Sequence, residues 1–180
     1  IKRLGAKTMQ AFSFGEIQRA DGQMSGELKL SGDPADPVIR GELAFKEFNF
    51  VLKQLGAPFS LKNQTVAFKG QSVQMDNFTL IDSTGQKLVT TGRVLFPDLP
   101  NYSYRFNVKA NDFLAINAGR YANDHFFGNA KIDASMDISG VNESYTVNGD
   151  IKIVPGSNIT ILMPEDDGVG SEMQQVITFV

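Results

Sequence analysis

The stretch that decides the fold is Gly128-Asn129-Ala130-Lys131-Ile132-Asp133-Ala134-Ser135-Met136-Asp137-Ile138-Ser139. Every even position from 130 to 138 is apolar, and the odd positions between them are polar. A strand places successive side chains on opposite faces, whereas a helix would distribute these apolar residues around its whole circumference. The stretch therefore predicts a β-strand with one apolar face and one polar face.

The same alternation extends to other parts of the chain. Tyr102–Ala110 keeps strict period two, and Tyr145–Ile153 does so on both sides of Gly149. At Asp76-Asn77 the alternation slips by one residue, which predicts either a tight turn or a β-bulge. A short helical turn is expected only at Asn111–Ala118, where an Asn can cap it.

Glycine, proline, aspartate and asparagine mark turns at short intervals along the chain. The marked segments are Ala20–Gly22, Asp33–Pro37, Ser83–Gly85, Phe96–Pro100 and Val154–Asn158. The runs between them predict about a dozen strands. At a spacing of about 4.8 Å, these strands would extend a sheet over about 55 to 60 Å.

One phrase of the sequence occurs twice, 108 positions apart. Eight residues separate Ser31-Gly32 from Gly41-Glu42-Leu43, and eight residues also separate Ser139-Gly140 from Gly149-Asp150-Ile151. Alternating apolar residues flank both copies, which predicts one hairpin-like unit used twice. Since such units extend a sheet, we expect the function to lie on the sheet surface rather than in a catalytic pocket.

We expect residues 1–180 to form a single β-rich unit that belongs to a longer protein. The 180 residues are 42% hydrophobic and 21% charged, and no apolar run is long enough to span a membrane. The net charge of −3 and the absence of a Lys/Arg run argue against nucleic acid as a partner. We expect an excised piece because the chain lacks an initiator Met and ends in the apolar run Val176–Val180.

The residues that carry chemistry are few, so we expect no enzyme, cofactor or metal site. His125 is the only histidine and there is no cysteine, which leaves no His-based zinc site, thiolate ligand or Cys nucleophile. Glu165–Asp167 lacks the ligand spacing of a calcium loop and is interpreted as part of a mobile, solvated loop, Glu165–Glu172. Paired carboxylates for glycoside chemistry stay open, since strands bring distant residues together.

The aromatic residues favour an apolar surface or a dry core. There are 14 Phe, four Tyr and no Trp, and Phe supplies bulk without a polar group. Alternation alone does not separate an open apolar face from the core of a β-sandwich, because both need one apolar face per strand.

Three ordered segments resemble the C-terminal region of TamB-type proteins, which belong to the AsmA-like family of bacterial envelope proteins. They are Asp21–Gly32 through Pro37 to Gly41–Phe45; Val66–Gly70, Val73, Met75, Phe78 and Leu80 followed by Asp82–Gly85 and Gly92–Val94; and Phe106–Ala110 with Asp112-Phe113 and Asn117. The order and spacing of their Gly- and Asp-punctuated strands carry the resemblance. Pro155–Ile161, continued to Pro164, is similar to Bacteroidetes-type versions.

The resemblance implies an all-β fold with little helix: a long, mainly antiparallel sheet curled lengthwise into an open hydrophobic trough. It implies a periplasmic segment of an inner-membrane-anchored protein, attached to the membrane through regions outside this chain. The implied role is to carry phospholipid between the inner and outer membranes. The alternative is a scaffold for outer-membrane β-barrel assembly with a BamA-like partner, and a closed sandwich module for adhesion or spacing is a third reading.

The implied lipid-binding residues are the apolar residues of the alternating runs, on the face expected to be concave. They are Leu28, Leu30, Leu43, Phe45, Val94, Phe96, Phe106, Val108, Ile132, Met136, Ile138, Val147, Ile151 and Ile153.

Overall fold

The computed structural model describes residues 4–5, 15–33, 36–98, 100–122, 124–162 and 176–179. Twelve strands and no helix lie in these ranges, which confirms the predicted all-β fold. They are β1 (Leu4–Gly5), β2 (Ile17–Asp33), β3 (Asp36–Leu52), β4 (Pro58–Leu61), β5 (Gln64–Gly70), β6 (Ser72–Asp82), β7 (Lys87–Asp98), β8 (Asn101–Ala118), β9 (Phe126–Val141), β10 (Ser144–Ile153), β11 (Asn158–Leu162) and β12 (Val176–Phe179).

All twelve strands form one antiparallel sheet, and ten of them follow the order β1-β2-β3-β4-β6-β7-β8-β9-β11-β12. Strand β3 pairs with β4 along one part of its length and with β5 along another. Strand β9 pairs with β11 and with β10 in the same way. The twelve strands therefore occupy ten rows. At about 4.8 Å a row, the sheet extends about 43 Å, which is shorter than predicted because two of the rows hold two strands each.

The repeated phrase forms two equivalent hairpins, β2–β3 and β9–β10, as predicted. Gly41 of β3 and Gly149 of β10 occupy matching places in the two copies, with φ angles of +136° and +140°. A Cβ atom at these glycines would lie 1.9 Å from the carbonyl oxygen of Glu27 and 2.1 Å from that of Ser135. Only glycine permits this approach of neighbouring backbones.

The slip at Asp76-Asn77 is a β-bulge inside β6, one of the two predicted alternatives. The pairing with β7 shifts between Met75 and Phe78, and Asn77 has a φ of +51°. The Asn77 N–H donates a hydrogen bond of 3.2 Å to the hydroxyl oxygen of Thr91 on β7. The bulge returns Phe78 to the face that carries Met75, so the apolar side of β6 continues.

The predicted helical turn at Asn111–Ala118 is wrong, because these residues belong to β8. Asp112 has a φ of +48°, and its N–H donates to the carboxylate of Asp133 over 2.8 Å. Lys131 forms an ion pair of 3.1 Å with Asp112. These bonds to β9 stabilise a bulged strand instead of a helical turn.

The predicted turn at Ala20–Gly22 is also wrong, since this segment lies inside β2. Two register shifts with β3 occur there, and Arg19 has a φ of +47°. Gly and Asp therefore mark an irregular strand at this place. Ser83–Gly85 lies between β6 and β7, as predicted. The predicted turn Val154–Asn158 lies between β10 and β11 except for Asn158, which begins β11.

The sheet curls so that its apolar side meets itself. Phe59 of β4 and Phe113 of β8 stack with ring centroids 5.5 Å apart, although β6 and β7 separate their strands. The N–H of Asn117, near the end of β8, donates to the carbonyl of Leu55 in the β3–β4 connection over 2.9 Å. The buried cluster inside the curl consists of Met24, Phe45, Phe48, Phe50, Ala57, Phe59, Leu61, Val66 and Phe113.

Candidate functional site

The strand registers carry one apolar face across the sheet. Residues paired directly across antiparallel strands share a face. One such row joins Gly26, Leu43 and Val66, and a corresponding row on the other half joins Gly92, Phe106, Ile138 and Val147. We call the side of the sheet that these rows occupy the apolar face, and the opposite side the polar face.

Thirteen of the fourteen residues expected to bind lipid lie on the apolar face, where cross-strand pairing places them. The pairing of β7 with β8 shifts between Leu95 and Asp98, and it assigns the fourteenth residue, Phe96, to neither face. The thirteen are Leu28, Leu30, Leu43, Phe45, Val94, Phe106, Val108, Ile132, Met136, Ile138, Val147, Ile151 and Ile153. The sheet thus brings together residues that are far apart in sequence.

Accessibility along the apolar face is uneven. Phe45 and Val108 are buried, and both pack inside the fold rather than at its surface. Leu30, close to the tip of the β2–β3 hairpin, is 73% exposed. Along β10, Val147 is 48% exposed and Ile151 is 58% exposed. The surface available to a ligand is therefore concentrated at this hairpin tip and along β10.

A row of aromatic rings on β8 belongs to the same face, and two of its three members, Tyr102 and Tyr104, were missing from the expected lining residues. Tyr102 and Tyr104 stack with ring centroids 6.3 Å apart, and Tyr104 and Phe106 with centroids 6.1 Å apart. Gly92 pairs with Phe106 and Gly140 pairs with Tyr104. A Cβ at either glycine would lie 2.5 Å from the paired ring, so the rings lie over bare backbone. The strict alternation of Tyr102–Ala110 already indicated that these three aromatic residues share one face of a strand.

The carboxylate of Asp82 has a lowered pKa, and its surroundings are structural. Burial acts to raise its pKa, but hydrogen bonds from Leu114, Thr84 and Gln86 outweigh that effect and hold the pKa below its ordinary value. The N–H of Leu114 donates over 2.6 Å, while that of Gln86 donates over 2.9 Å. Asp82 thereby joins the β6–β7 turn to β8.

Within the described ranges, no group of three or more His, Asp or Glu side chains is placed to hold a metal ion. His125 lies exposed at the surface next to the start of β9. The acidic segment Glu165–Asp167, and the loop predicted around it, lie outside the described residues. No helix in the part of the chain that the structure describes is long and apolar enough to cross a membrane.

Together these features define an antiparallel sheet protein whose distinguishing surface is one broad apolar face. The sequence profile of the family described as TamB C-terminal domain matches residues 76–180. The chain belongs to the TamB family, whose members form a transport and assembly module of the cell envelope and are not a known enzyme family. Comparison with curated proteins and with solved structures finds no match. The likeness of Pro155–Pro164 to Bacteroidetes-type versions stays a prediction.

Proposed function

We propose that this chain is a lipid-transfer segment of a periplasm-spanning, inner-membrane-anchored protein. In this proposal its apolar face shields phospholipid acyl chains as they pass between the inner and outer membranes. Family membership supports a role in the envelope. The geometry of the apolar face supports lipid as the cargo.

The observation that carries the proposal is the continuity of the apolar face from β2 to β10. Soluble proteins rarely expose broad apolar surfaces unless a partner or ligand covers them. Here Leu30, Val147 and Ile151 are exposed on the same face as the buried core. A ligand that covers them must itself be apolar, and an acyl chain meets that requirement.

The energetics require such a face to be unbroken. Exposing a lipid tail to water costs about 0.8 kcal/mol for each methylene group. A gap in the apolar surface would restore this cost wherever the tail crossed it. The bulge at Asp76-Asn77 and the glycines on the apolar face supply continuity, because the bulge keeps the facing constant and the glycines leave room beside larger side chains.

Photo-crosslinking from β10 tests the proposal. A photoreactive amino acid is placed at Val147 or Ile151 on the apolar face, and at Asn148 or Lys152 on the polar face, in the full-length protein in cells. All four positions are exposed and belong to one strand, so they form matched pairs. We expect phospholipid adducts from Val147 and Ile151, detected by mass spectrometry, and none from Asn148 and Lys152. Equal adducts from both faces, or none from either, would contradict the proposal.

The edge of β10 favours a second candidate function, a scaffold for outer-membrane β-barrel assembly with a BamA-like partner. Within the described chain β10 pairs only with β9, and all ten of its residues are exposed. An unpaired strand edge can accept another strand through backbone hydrogen bonds. Under this alternative, the same β10 probes would crosslink to unfolded barrel proteins instead of lipid, with little dependence on the face.

A further inference from the structure

Two arginines face each other on the polar face. Arg93 of β7 pairs directly with Arg105 of β8, and both side chains are exposed. Like charges placed directly opposite one another destabilise a sheet. The one salt bridge among the described residues joins Lys131 and Asp112, so neither arginine is neutralised by a carboxylate of this part of the protein.

Hydroxyl groups line the cleft beside Arg105, together with the apolar side chains of Leu95 and Val141. Arg105 pairs with Ser139, which pairs with Thr146 on β10. Ser103 and Ser144 line the same cleft in the adjacent row, and the cleft has a volume of about 520 Å³. Over the described ranges, these four hydroxyls and the two guanidinium groups make no side-chain hydrogen bond. The cleft therefore presents unused donors around two unpaired positive charges.

The carboxylates at neighbouring positions are already engaged. Asp76 accepts hydrogen bonds of 3.0 and 3.1 Å from the amide of Gln74, the residue that pairs with Arg93. Asp137 accepts a hydrogen bond of 3.0 Å from the amide of Asn107. Neither of these two acids forms an ion pair with Arg93 or Arg105, so both guanidinium groups are available to an added anion.

We propose that this arginine cleft, lined by Arg93, Arg105, Ser103, Ser139, Ser144 and Thr146, binds a phosphate group. Two guanidinium groups can each donate two hydrogen bonds to phosphate oxygens, and hydroxyls can satisfy the remaining acceptors. The phosphate belongs either to a phospholipid head group or to a free phosphate ion. The cleft lies on the face opposite the proposed acyl-chain surface, so the inference does not rest on the proposed lipid-transfer function.

Matched double variants test the cleft in the full chain. Arg93→Gln/Arg105→Gln removes both guanidinium groups. Lys87→Gln/Lys109→Gln removes two exposed cations from the polar face of the same strands, with the same change in net charge. Calorimetry measures binding of inorganic phosphate, and flotation measures binding to vesicles of phosphatidylglycerol or phosphatidylcholine. Circular dichroism checks that each variant is folded.

We expect the arginine variant to bind phosphate at least about tenfold more weakly, since each charge-assisted hydrogen bond contributes about a factor of ten. The lysine variant is expected to bind as the parent chain does. Arginine-dependent binding of phosphatidylglycerol vesicles identifies the head group as the source, and binding of phosphate alone identifies the free ion. Equal losses in both variants, or binding of neither probe by the parent chain, would overturn the proposal.

Discussion

Gly41 and Gly149 bring one strand so close to the next that any side chain at these positions would meet a backbone carbonyl. Their φ angles of +136° and +140° are also ones that other residues rarely adopt. Glycine at these two positions is therefore a requirement of both hairpins. The spacing of the repeated phrase predicted the hairpins, whereas the contact distance depends on how the strands approach and is not visible in sequence.

Replacing Gly41 with Ala is expected to lower the free energy of unfolding by about 1 to 3 kcal/mol, because the backbone must move or adopt a strained conformation. Gly119→Ala serves as the control, since no atom lies within 4 Å of the added Cβ and its φ is outside the left-handed region. That control is expected to change stability by about 0.5 kcal/mol or less. Urea unfolding measures both, and equal effects would refute the role of the close contact.

Asp82→Asn is expected to lower the free energy of unfolding at pH 7 by about 2 to 3 kcal/mol, because an amide accepts fewer of the hydrogen bonds that now reach the carboxylate. The pKa of Asp82 is lowered in the folded chain. Its stabilising contribution is therefore complete above the unfolded pKa, about 3.9, and is lost as the pH falls through the folded pKa.

Urea unfolding across that pH range gives the test. The difference between the parent chain and Asp82→Asn is expected to shrink as the pH falls from the unfolded pKa through the folded pKa. Asp150→Asn, at an exposed position of β10, controls for the general effect of removing a negative charge. A difference that stays constant with pH would show that the carboxylate charge contributes nothing.

At the scale of the element, β10 presents its two faces to solvent at the same time. Its apolar residues alternate with polar ones, and none of them is buried. A substitution on this strand therefore changes the surface without opening a cavity in the core, which makes β10 the best place to separate function from stability.

Ile151→Asp and Val147→Asp are expected to abolish lipid transfer in the full-length protein while changing the free energy of unfolding by about 1 kcal/mol or less. A charge on the apolar face is costly beside an acyl chain because it must be stripped of water. Asn148→Asp introduces the same charge on the polar face and is expected to retain transfer. Wild-type lipid flux in Ile151→Asp would count against a lipid path along this strand.

Alternation was sufficient to predict strands and to assign their faces, because the two-residue period follows from local backbone geometry. It did not predict that Asn111–Ala118 would remain in β8, since Asp112 is held there by Asp133 and Lys131 from the next strand. Nor did it predict that Tyr102 and Tyr104 would stack in one row with the expected lining residue Phe106, because stacking depends on the glycines of two neighbouring strands. Contacts between neighbouring strands depend on how the strands are aligned, and a single sequence does not show that alignment.

At the scale of the whole molecule, the curl depends on a contact between distant rows. Phe59 and Phe113 meet across two intervening strands, and Phe113 is 2% exposed. Alternation assigned neither residue to a face, since Phe113 lay in the predicted helical turn Asn111–Ala118, and it contained no information on curvature. The open trough expected from the resemblance therefore stays a prediction, while the curled sheet is observed.

Phe113→Ala is expected to lower the free energy of unfolding by about 3 to 5 kcal/mol, because it removes a buried ring at the closing contact. Combined with Phe59→Ala, it is expected to show a coupling energy of about 0.5 to 1.5 kcal/mol. Tyr145, which is 72% exposed, provides the control. Tyr145→Ala is expected to add independently to Phe59→Ala in urea unfolding. Absence of coupling between Phe59 and Phe113 would show that the stacked pair does not stabilise the curl.

The equivalent hairpins β2–β3 and β9–β10 also bear on how such a protein changes in size during evolution. Duplicating a hairpin adds two rows, or about 10 Å of sheet, and returns the chain to the end from which it left. Duplicating a single strand would send every later connection to the opposite end. We therefore expect descendants of this architecture to lengthen in steps of two strands, so that the distance they span is inherited in hairpin-sized increments.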